Sequence, residues 1–189
     1  MASFGRLVTY LLVLSTLSGC LVTPLKTPQL PRNLYRLQAL NQRQIQLLVS
    51  PIKDTTLGRQ YLMFFIPFGR ITDQSPAKSL YDLAFQELAV RGYKTVSSDT
   101  SPTRSLSISI GTISLNAYDF LFFRRIVARV ELTLQLNGRK LEFVNATKSK
   151  LTQSAFAPEL SALYHQSLSE ALAKGFNALG LESDKMVRK

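Results

Sequence analysis

The stretch Ile126–Phe143, IVARVELTLQLNGRKLEF, decides how this chain folds. Ile126, Ala128, Val130, Leu132, Leu134 and Leu136 recur at every second position, so one face of an extended strand is apolar. Asn137-Gly138 follows, the pair preferred in a two-residue type I′ turn because both central residues take positive φ. Leu141 and Phe143 continue the pattern on the return strand. Pairing Leu136 with Arg139 predicts Leu134 opposite Leu141 and Leu132 opposite Phe143. By the same register Arg125 faces Lys150, Arg129 faces Ala146 and Gln135 faces Lys140. The second face then carries Arg125, Arg129, Lys140, Lys148 and Lys150, with Glu131 and Glu142 among them. Like charges directly opposite each other cost stability, so this face is expected to be separated by the fold or offered an anion, such as a lipid or lipopolysaccharide phosphate or an acidic partner.

On either side of the hairpin the pattern alternates between strand and helix. Upstream, Leu106, Ile108 and Ile110 alternate with serines, and the apolar parity flips after Gly111 to Ile113 and Leu115, which predicts a strand with a β-bulge. Downstream, Leu160, Leu163, Tyr164, Leu168, Ala171, Leu172, Phe176 and Leu179 form one stripe of a helix from about Pro158 to Leu179, with Gly180 at its end. A second helix starts at Ser75-Pro76, buries Leu80, Leu83, Ala84 and Leu88, and stops at Gly92. Tyr93–Ser97 then begins a short strand, and Ser97–Arg104 is a polar loop. Ile45, Leu47 and Val49 alternate as a strand that ends near Pro51. The continuous apolar run Tyr61–Ile66 is expected to be a strand buried on both faces at the centre of the sheet. Both helices have a single apolar stripe, so the predicted fold is α/β (α+β): a two-layer sandwich, mostly antiparallel, with two helices on one sheet face.

The N-terminus speaks to compartment. Arg6 precedes an apolar stretch, Leu7–Leu17, that is closed by Ser18-Gly19-Cys20. A bilayer span needs about 20 apolar residues, so the stretch reads as a signal peptide with a small-residue cleavage site. Residues 20–44 hold Pro24, Pro28 and Pro31 among scattered basic residues and are expected to be an extended or irregular tether, with a helical turn at Leu34–Leu40. The organisation expected is a signal at 1–19, a lipidated tether at 20–44, one domain at 45–180 and a polar tail at 181–189.

Composition narrows the chemistry. The 189 residues include 23 Lys+Arg against 12 Asp+Glu, for a formal net charge of +11, and one His, one Cys and no Trp. A single cysteine excludes an internal disulfide, a multi-cysteine zinc site and a CxxC redox motif. No GxSxG elbow and no phosphate-binding glycine motif occurs. The dispersed aspartates lack calcium-loop spacing. His165, with Ser161 and Ser169 one turn away on either side, makes a poor triad and is expected to be structural. The segment Tyr118-Asp119-Phe120-Leu121-Phe122-Phe123-Arg124-Arg125 has two readings. It is a strand end under the helices with both arginines at a solvated rim, or an aromatic surface that dips into a membrane interface or caps a partner groove.

Leu17-Ser18-Gly19-Cys20 resembles the bacterial lipobox. That resemblance implies a diacylglyceryl group on the Cys20 thiol, cleavage between Gly19 and Cys20, and N-acylation of the new terminus. It implies no cofactor beyond this covalent lipid. The absence of Asp after the cysteine implies the outer membrane. The strand Leu62–Phe68, the helix Ser79–Gly92 ending in Arg91-Gly92-Tyr93, the strand Ser105–Leu115, the Asn137-Gly138 hairpin and the last helix resemble in order the small YajG-like lipoproteins. Similar layouts occur in lipoprotein accessory subunits of envelope lipid or solute transporters. The expected protein is a non-enzymatic, periplasm-facing binding or assembly module on the inner leaflet of the outer membrane. Its expected partners are the membrane, through the anchor, and an envelope protein or anionic lipid met by Arg125, Arg129, Lys148 and Lys150. Nucleic acid is excluded by export. The alternatives from other classes are an envelope hydrolase and a link between membrane and wall.

Overall fold

The computed structural model describes residues 21–41, 43–63, 65–96, 104–120, 123–152 and 157–181. The strands are β1 (Leu21–Pro24), β2 (Arg43–Val49), β3 (Thr56–Leu62), β4 (Ile66–Thr72), β5 (Tyr93–Val96), β6 (Ser105–Asp119), β7 (Arg124–Leu136) and β8 (Arg139–Thr152). The helices are α1 (Leu34–Leu40), α2 (Pro76–Val90) and α3 (Ala157–Ala178). The strands form one mixed sheet, and its three antiparallel pairs, β3–β4, β6–β7 and β7–β8, carry most of the paired length.

The long strand β6 is the spine. β7 runs antiparallel along its whole length on one side. On the other side β2 lies parallel to Ser105–Ile108, and β3 lies parallel to Ala117–Asp119. The bulge read from Gly111 falls between these two ladders, where the register with β7 shifts between Ile110 and Thr112. Helix α2 packs over β5 and β2, and α3 over β7 and β8, with the two helices in contact. Leu106, Ile108 and Leu115 of β6, alternate residues Ile126–Leu134 of β7, and the expected stripes of both helices are buried together. This is the two-layer α+β architecture that the hydrophobic pattern predicts.

The helix ends follow their glycines. Gly92 and Gly180 have φ of 87° and 71°. At α3 the Leu181 N–H donates to the Phe176 carbonyl and the Gly180 N–H to that of Asn177, the paired bonds of a Schellman cap. Leu181 is fully buried, so the domain reaches one residue past the expected boundary. Arg91 binds the two helix ends together. Its guanidinium donates to Glu87 Oε1 at 2.8 Å, Asn177 Oδ1 at 2.6 Å and the Leu181 carbonyl at 2.7 Å, over the Phe176 ring.

Three expectations need correction. The run Tyr61–Ile66 is not one central strand. β3 ends at Leu62, Met63 takes φ of 49°, and β4 begins at Ile66, so the run is a hairpin tip. The positions that β3 and β4 bury are Leu57, Gln60, Gly69 and Ile71, while Phe65 is 73% exposed. Second, the stretch read as an irregular tether is packed on the domain wherever it is described. β1 pairs with β4, Leu25 and Leu34 are buried, the Leu25 N–H donates to the Thr72 carbonyl, and the Lys26 N–H donates to Ser161 Oγ. Burial of these two leucines outweighs the disorder that three prolines suggest, and Pro24 is tolerated because β1 is an edge strand. The helical turn at Leu34–Leu40 is present as α1.

The third correction is the hairpin register. Leu134 does face Leu141 and Gln135 faces Lys140, but Leu132 faces Val144. Thr133 therefore stands against two residues, Glu142 and Phe143, in a β-bulge that advances the rest of β8 by one. Arg125 faces Leu151, not Lys150, and Arg129 faces Thr147, not Ala146. Because side chains alternate, one extra residue moves every later β8 side chain to the other sheet face.

Candidate functional site

Cys20 and Gly19, the expected lipidation and cleavage positions, lie outside the described residues. The four basic residues expected on one face are divided by the β8 bulge. Arg125 and Arg129 remain exposed on the face away from the helices. Lys148 and Lys150 turn toward α3, where they pair with Glu170 and Glu159. The like-charge problem is thus relieved by moving two lysines to carboxylates of the neighbouring helix. Hydrogen bonds from Lys148 and Lys174 hold the Glu170 carboxyl down to about 2. Arg124 is not at a solvated rim: it is buried and pairs with Asp119, its cross-strand neighbour, with Nη2 2.8 Å from Oδ2.

His165 stands beside two other buried polar groups. Asp73 is 2% exposed and accepts the Ser75 N–H at 2.9 Å. Its second oxygen, the Tyr164 hydroxyl and His165 Nε2 are buried without a hydrogen-bond partner. Burial lowers the His165 pKa against an opposing pull from Asp73, and raises that of Tyr164 with Asp73 adding to it. Ser161, one turn from His165, accepts the Lys26 N–H and so holds the N-terminal stretch on α3. Asp73 and Tyr164 are buried, and His165 is half-buried with its Nε2 turned inward. Among the described residues no group of His, Cys, Asp and Glu could hold a metal ion, and no helix is long and apolar enough to cross a membrane.

A cleft of about 410 Å³ opens where β6 passes from its ladder with β2 to that with β3. Ser50, Lys53, Asp54, Ile110 and Thr112 line it. Asp54 is engaged by the Thr56 N–H at 2.8 Å. Next along β3 from the cleft, the backbone of Gly58 lies so near β6 that a Cβ there would sit 1.9 Å from the Leu115 carbonyl oxygen.

The most unusual surface is one end of the sheet. Leu62 pairs with Asp119, Asp119 with Arg124, and Arg124 with Thr152, so the β3–β4 tip, the β6–β7 turn and the end of β8 are side by side. Five of the twelve large apolar side chains that are exposed among the described residues gather here: Leu62, Met63, Phe65, Phe123 and Leu151. Phe120 and Phe123 stack across their turn at 4.3 Å between centroids. Behind the tip, the cross-strand pair Tyr61 and Tyr118 stack at 5.2 Å. Sequence reasoning left Tyr118–Arg125 as either a strand end under the helices or an aromatic surface, and placed Tyr61–Ile66 in the core. The signal that joins them is the length of the second run: six apolar residues between two glycines serve a tip as well as a strand.

No family model and no curated protein matches the chain. Among solved structures, that of an uncharacterized protein superposes with a TM-score of 0.52 at 10% identity, covering 84% of this chain and 99% of that one. At that identity the likeness is one of fold. The rare lipoprotein B of Shewanella oneidensis aligns with a TM-score of 0.42 at 15% identity, over 72% of this chain and 93% of its own. A minor lipoprotein of Acinetobacter baumannii aligns with a TM-score of 0.43 at 12% identity, over 72% of this chain and 91% of its own.

Proposed function

We propose that the protein is an exported lipoprotein of the cell envelope. It is cleaved between Gly19 and Cys20 and held by diacylglyceryl and N-acyl chains on Cys20, in the inner leaflet of the outer membrane, facing the periplasm. It acts there as a YajG-like, non-enzymatic binding or assembly module. The observation that carries this reading is the motif Leu17-Ser18-Gly19-Cys20 standing directly before Leu21, the first residue of β1. Two or more acyl chains anchor stably, at about 0.8 kcal/mol per buried CH₂, where one chain anchors marginally. The non-enzymatic part draws support from His165, which is turned into the helix layer beside Asp73 and Tyr164 rather than toward a cleft.

Metabolic labelling with a palmitate analogue, followed by membrane fractionation, tests the anchor. The wild-type chain is expected to be labelled and sedimented with membranes, and Cys20→Ser to lose both label and processing. Equal labelling of the two would sink the proposal. His165→Ala is expected to leave any cellular phenotype intact; a folded variant that loses it would revive the hydrolase. Crosslinking in cells identifies the partner.

A further inference from the structure

The apolar end of the sheet is ordered in three levels. Leu62, Met63, Phe65 and Phe123 are at the extremity. One residue inward, Tyr61 stacks on Tyr118. Two residues further along β3 stands Arg59, which directly faces Arg70 of β4. Both arginines are exposed, and neither has an ion pair among the described residues. Arg125, also exposed, is opposite Tyr118 and so stands at the tyrosine level, two residues nearer the tip than Arg59. Like charges directly opposite each other on a hairpin are destabilising, so the pair Arg59–Arg70 is a site that an anion would relieve. From Leu62 to Arg59 is about 10 Å at roughly 3.3 Å per residue.

An apolar tip, a tyrosine band and a row of arginines within about 10 Å match the layers of a bilayer surface: acyl chains, interface and headgroup phosphates. A protein groove would explain the apolar side chains but gives no reason for the order behind them. The entry of the chain points the same way. β1 is parallel to β4 with Leu21 opposite Gly69, so both strands start from the tip end. The residue before Leu21 is Cys20, and consecutive Cα atoms are 3.8 Å apart. A lipid on that residue would enter the membrane beside the tip.

We propose that this end of the sheet, formed by the β3–β4 tip, the β6–β7 turn and the start of β1, rests on the leaflet that holds the lipid of Cys20. Phe65 and its neighbours enter the acyl boundary, and Arg59, Arg70 and Arg125 meet headgroup phosphates. The membrane then fixes the orientation of the domain: the Asn137-Gly138 turn, at the other end of the sheet, points away from the bilayer. The inference rests on lipidation at Cys20 for its geometry, but the apolar end can be tested separately.

The chain contains no tryptophan, so single reporters can be introduced in the full-length protein. Phe65→Trp reports on the tip and Arg139→Trp on the opposite turn. Each variant is purified from membranes and reconstituted into phosphatidylethanolamine vesicles, with and without phosphatidylglycerol, that carry brominated acyl chains. The mass of the N-terminal peptide is read from the same sample. The expected result is a blue-shifted, several-fold more strongly quenched emission for Phe65→Trp than for Arg139→Trp. Adding Arg59→Gln and Arg70→Gln should reduce the extra quenching that phosphatidylglycerol produces. Lipidated protein with equal quenching at the two positions overturns the membrane contact and leaves the lipoprotein reading standing. An unmodified Cys20 with strong quenching for Phe65→Trp does the reverse. Crosslinking of position 65 to a protein, in place of lipid, also overturns it.

Discussion

The β3–β4 and β7–β8 hairpins turn at opposite ends of the same sheet and are built on opposite chemistry. β7–β8 reverses through Asn137-Gly138, with φ of 48° and 84°, and its turn is polar and exposed. β3–β4 reverses at Met63, a non-glycine residue with φ of 49°, and its tip presents Leu62, Met63 and Phe65 to the outside. The first turn uses residues chosen for backbone conformation, for which left-handed φ is cheap. The second holds a less favourable conformation and exposes side chains that a soluble surface does not need. A turn that departs from turn chemistry is thus under some demand other than reversal of the chain.

The largest disturbance of this comparison is a shift of register in the polar hairpin. Inserting one serine between Asn145 and Ala146, just past the β8 bulge, moves every later residue by one and should turn Lys148 and Lys150 to the outer sheet face, with Lys150 opposite Arg125. It would also turn Ala146 out of the core and a polar neighbour in. Urea denaturation of the purified full-length chain should show a loss above about 4 kcal/mol, because every later β8 contact changes at once. A midpoint within error of wild type would mean that the register of β8 past the bulge is not fixed by the core.

In the apolar hairpin the corresponding weak point is Gly58. A Cβ there would meet the Leu115 carbonyl oxygen at 1.9 Å, and backbone cannot rotate away as a side chain can. Gly58→Ala should cost about 3 kcal/mol, at the upper end of overpacking, and should raise amide exchange in β3 and β4 more than in β8. Uniform exchange across the two hairpins would contradict this.

Exchanging the turn residues gives smaller effects of opposite sign. Gly138→Ala forces a left-handed alanine and should lower stability by about 1 kcal/mol. Met63→Gly removes such strain, worth about 1–2 kcal/mol, and adds chain entropy to the unfolded state, worth about 0.5–1 kcal/mol, for a net gain near 0.5 kcal/mol. Thermal melts of the two variants should move in opposite directions.

The smallest effect is a pH dependence. The Glu170 carboxyl is held down to about 2, from an ordinary value of 4.5, by Lys148 and Lys174. A carboxylate depressed on folding adds stability that is fully present above 4.5 and is lost as pH falls toward 2. Glu170→Gln should lower stability slightly above pH 4.5, neutral pH included, flatten the profile between 4.5 and 2, and meet wild type near pH 2. A variant that matches wild type at neutral pH and departs from it only near pH 2 would contradict the assignment.

What the sequence made legible follows from how local each signal is. Period-two alternation and an Asn-Gly turn are local, so β6, β7 and the hairpin turn are as expected, down to the bulge at Gly111. The helices were legible for the same reason, since their stripes and terminal glycines lie within each segment. The β8 bulge has no glycine to mark it, yet it leaves the same trace as Gly111: apolar residues Leu141 and Phe143 give way to Val144 and Ala146, a flip of parity. Tyr61–Ile66 was illegible because a run without alternation has no period, and only the pairing of Leu62 with Ile66 divides it. The apolar end was half legible, through Tyr118–Arg125. Its other half comes from strands whose neighbours are about 50 residues away in sequence, and no local pattern reports such a pairing.

Arg91 ties the closing of the helix layer to the end of α3. The guanidinium is buried at the end of α2, but its acceptors on Asn177 and Leu181 come nearly a hundred residues later. A chain that stops before the last turn of α3 would hold a buried cation with little more than Glu87 to answer it. Breaking a buried ionic network in this way costs about 3–5 kcal/mol, out of a total that for most domains is about 5–15 kcal/mol. Fragments of the chain are therefore poor competitors for the native state. In the order of synthesis, the helix layer can close only once the end of α3, through Leu181, has been made.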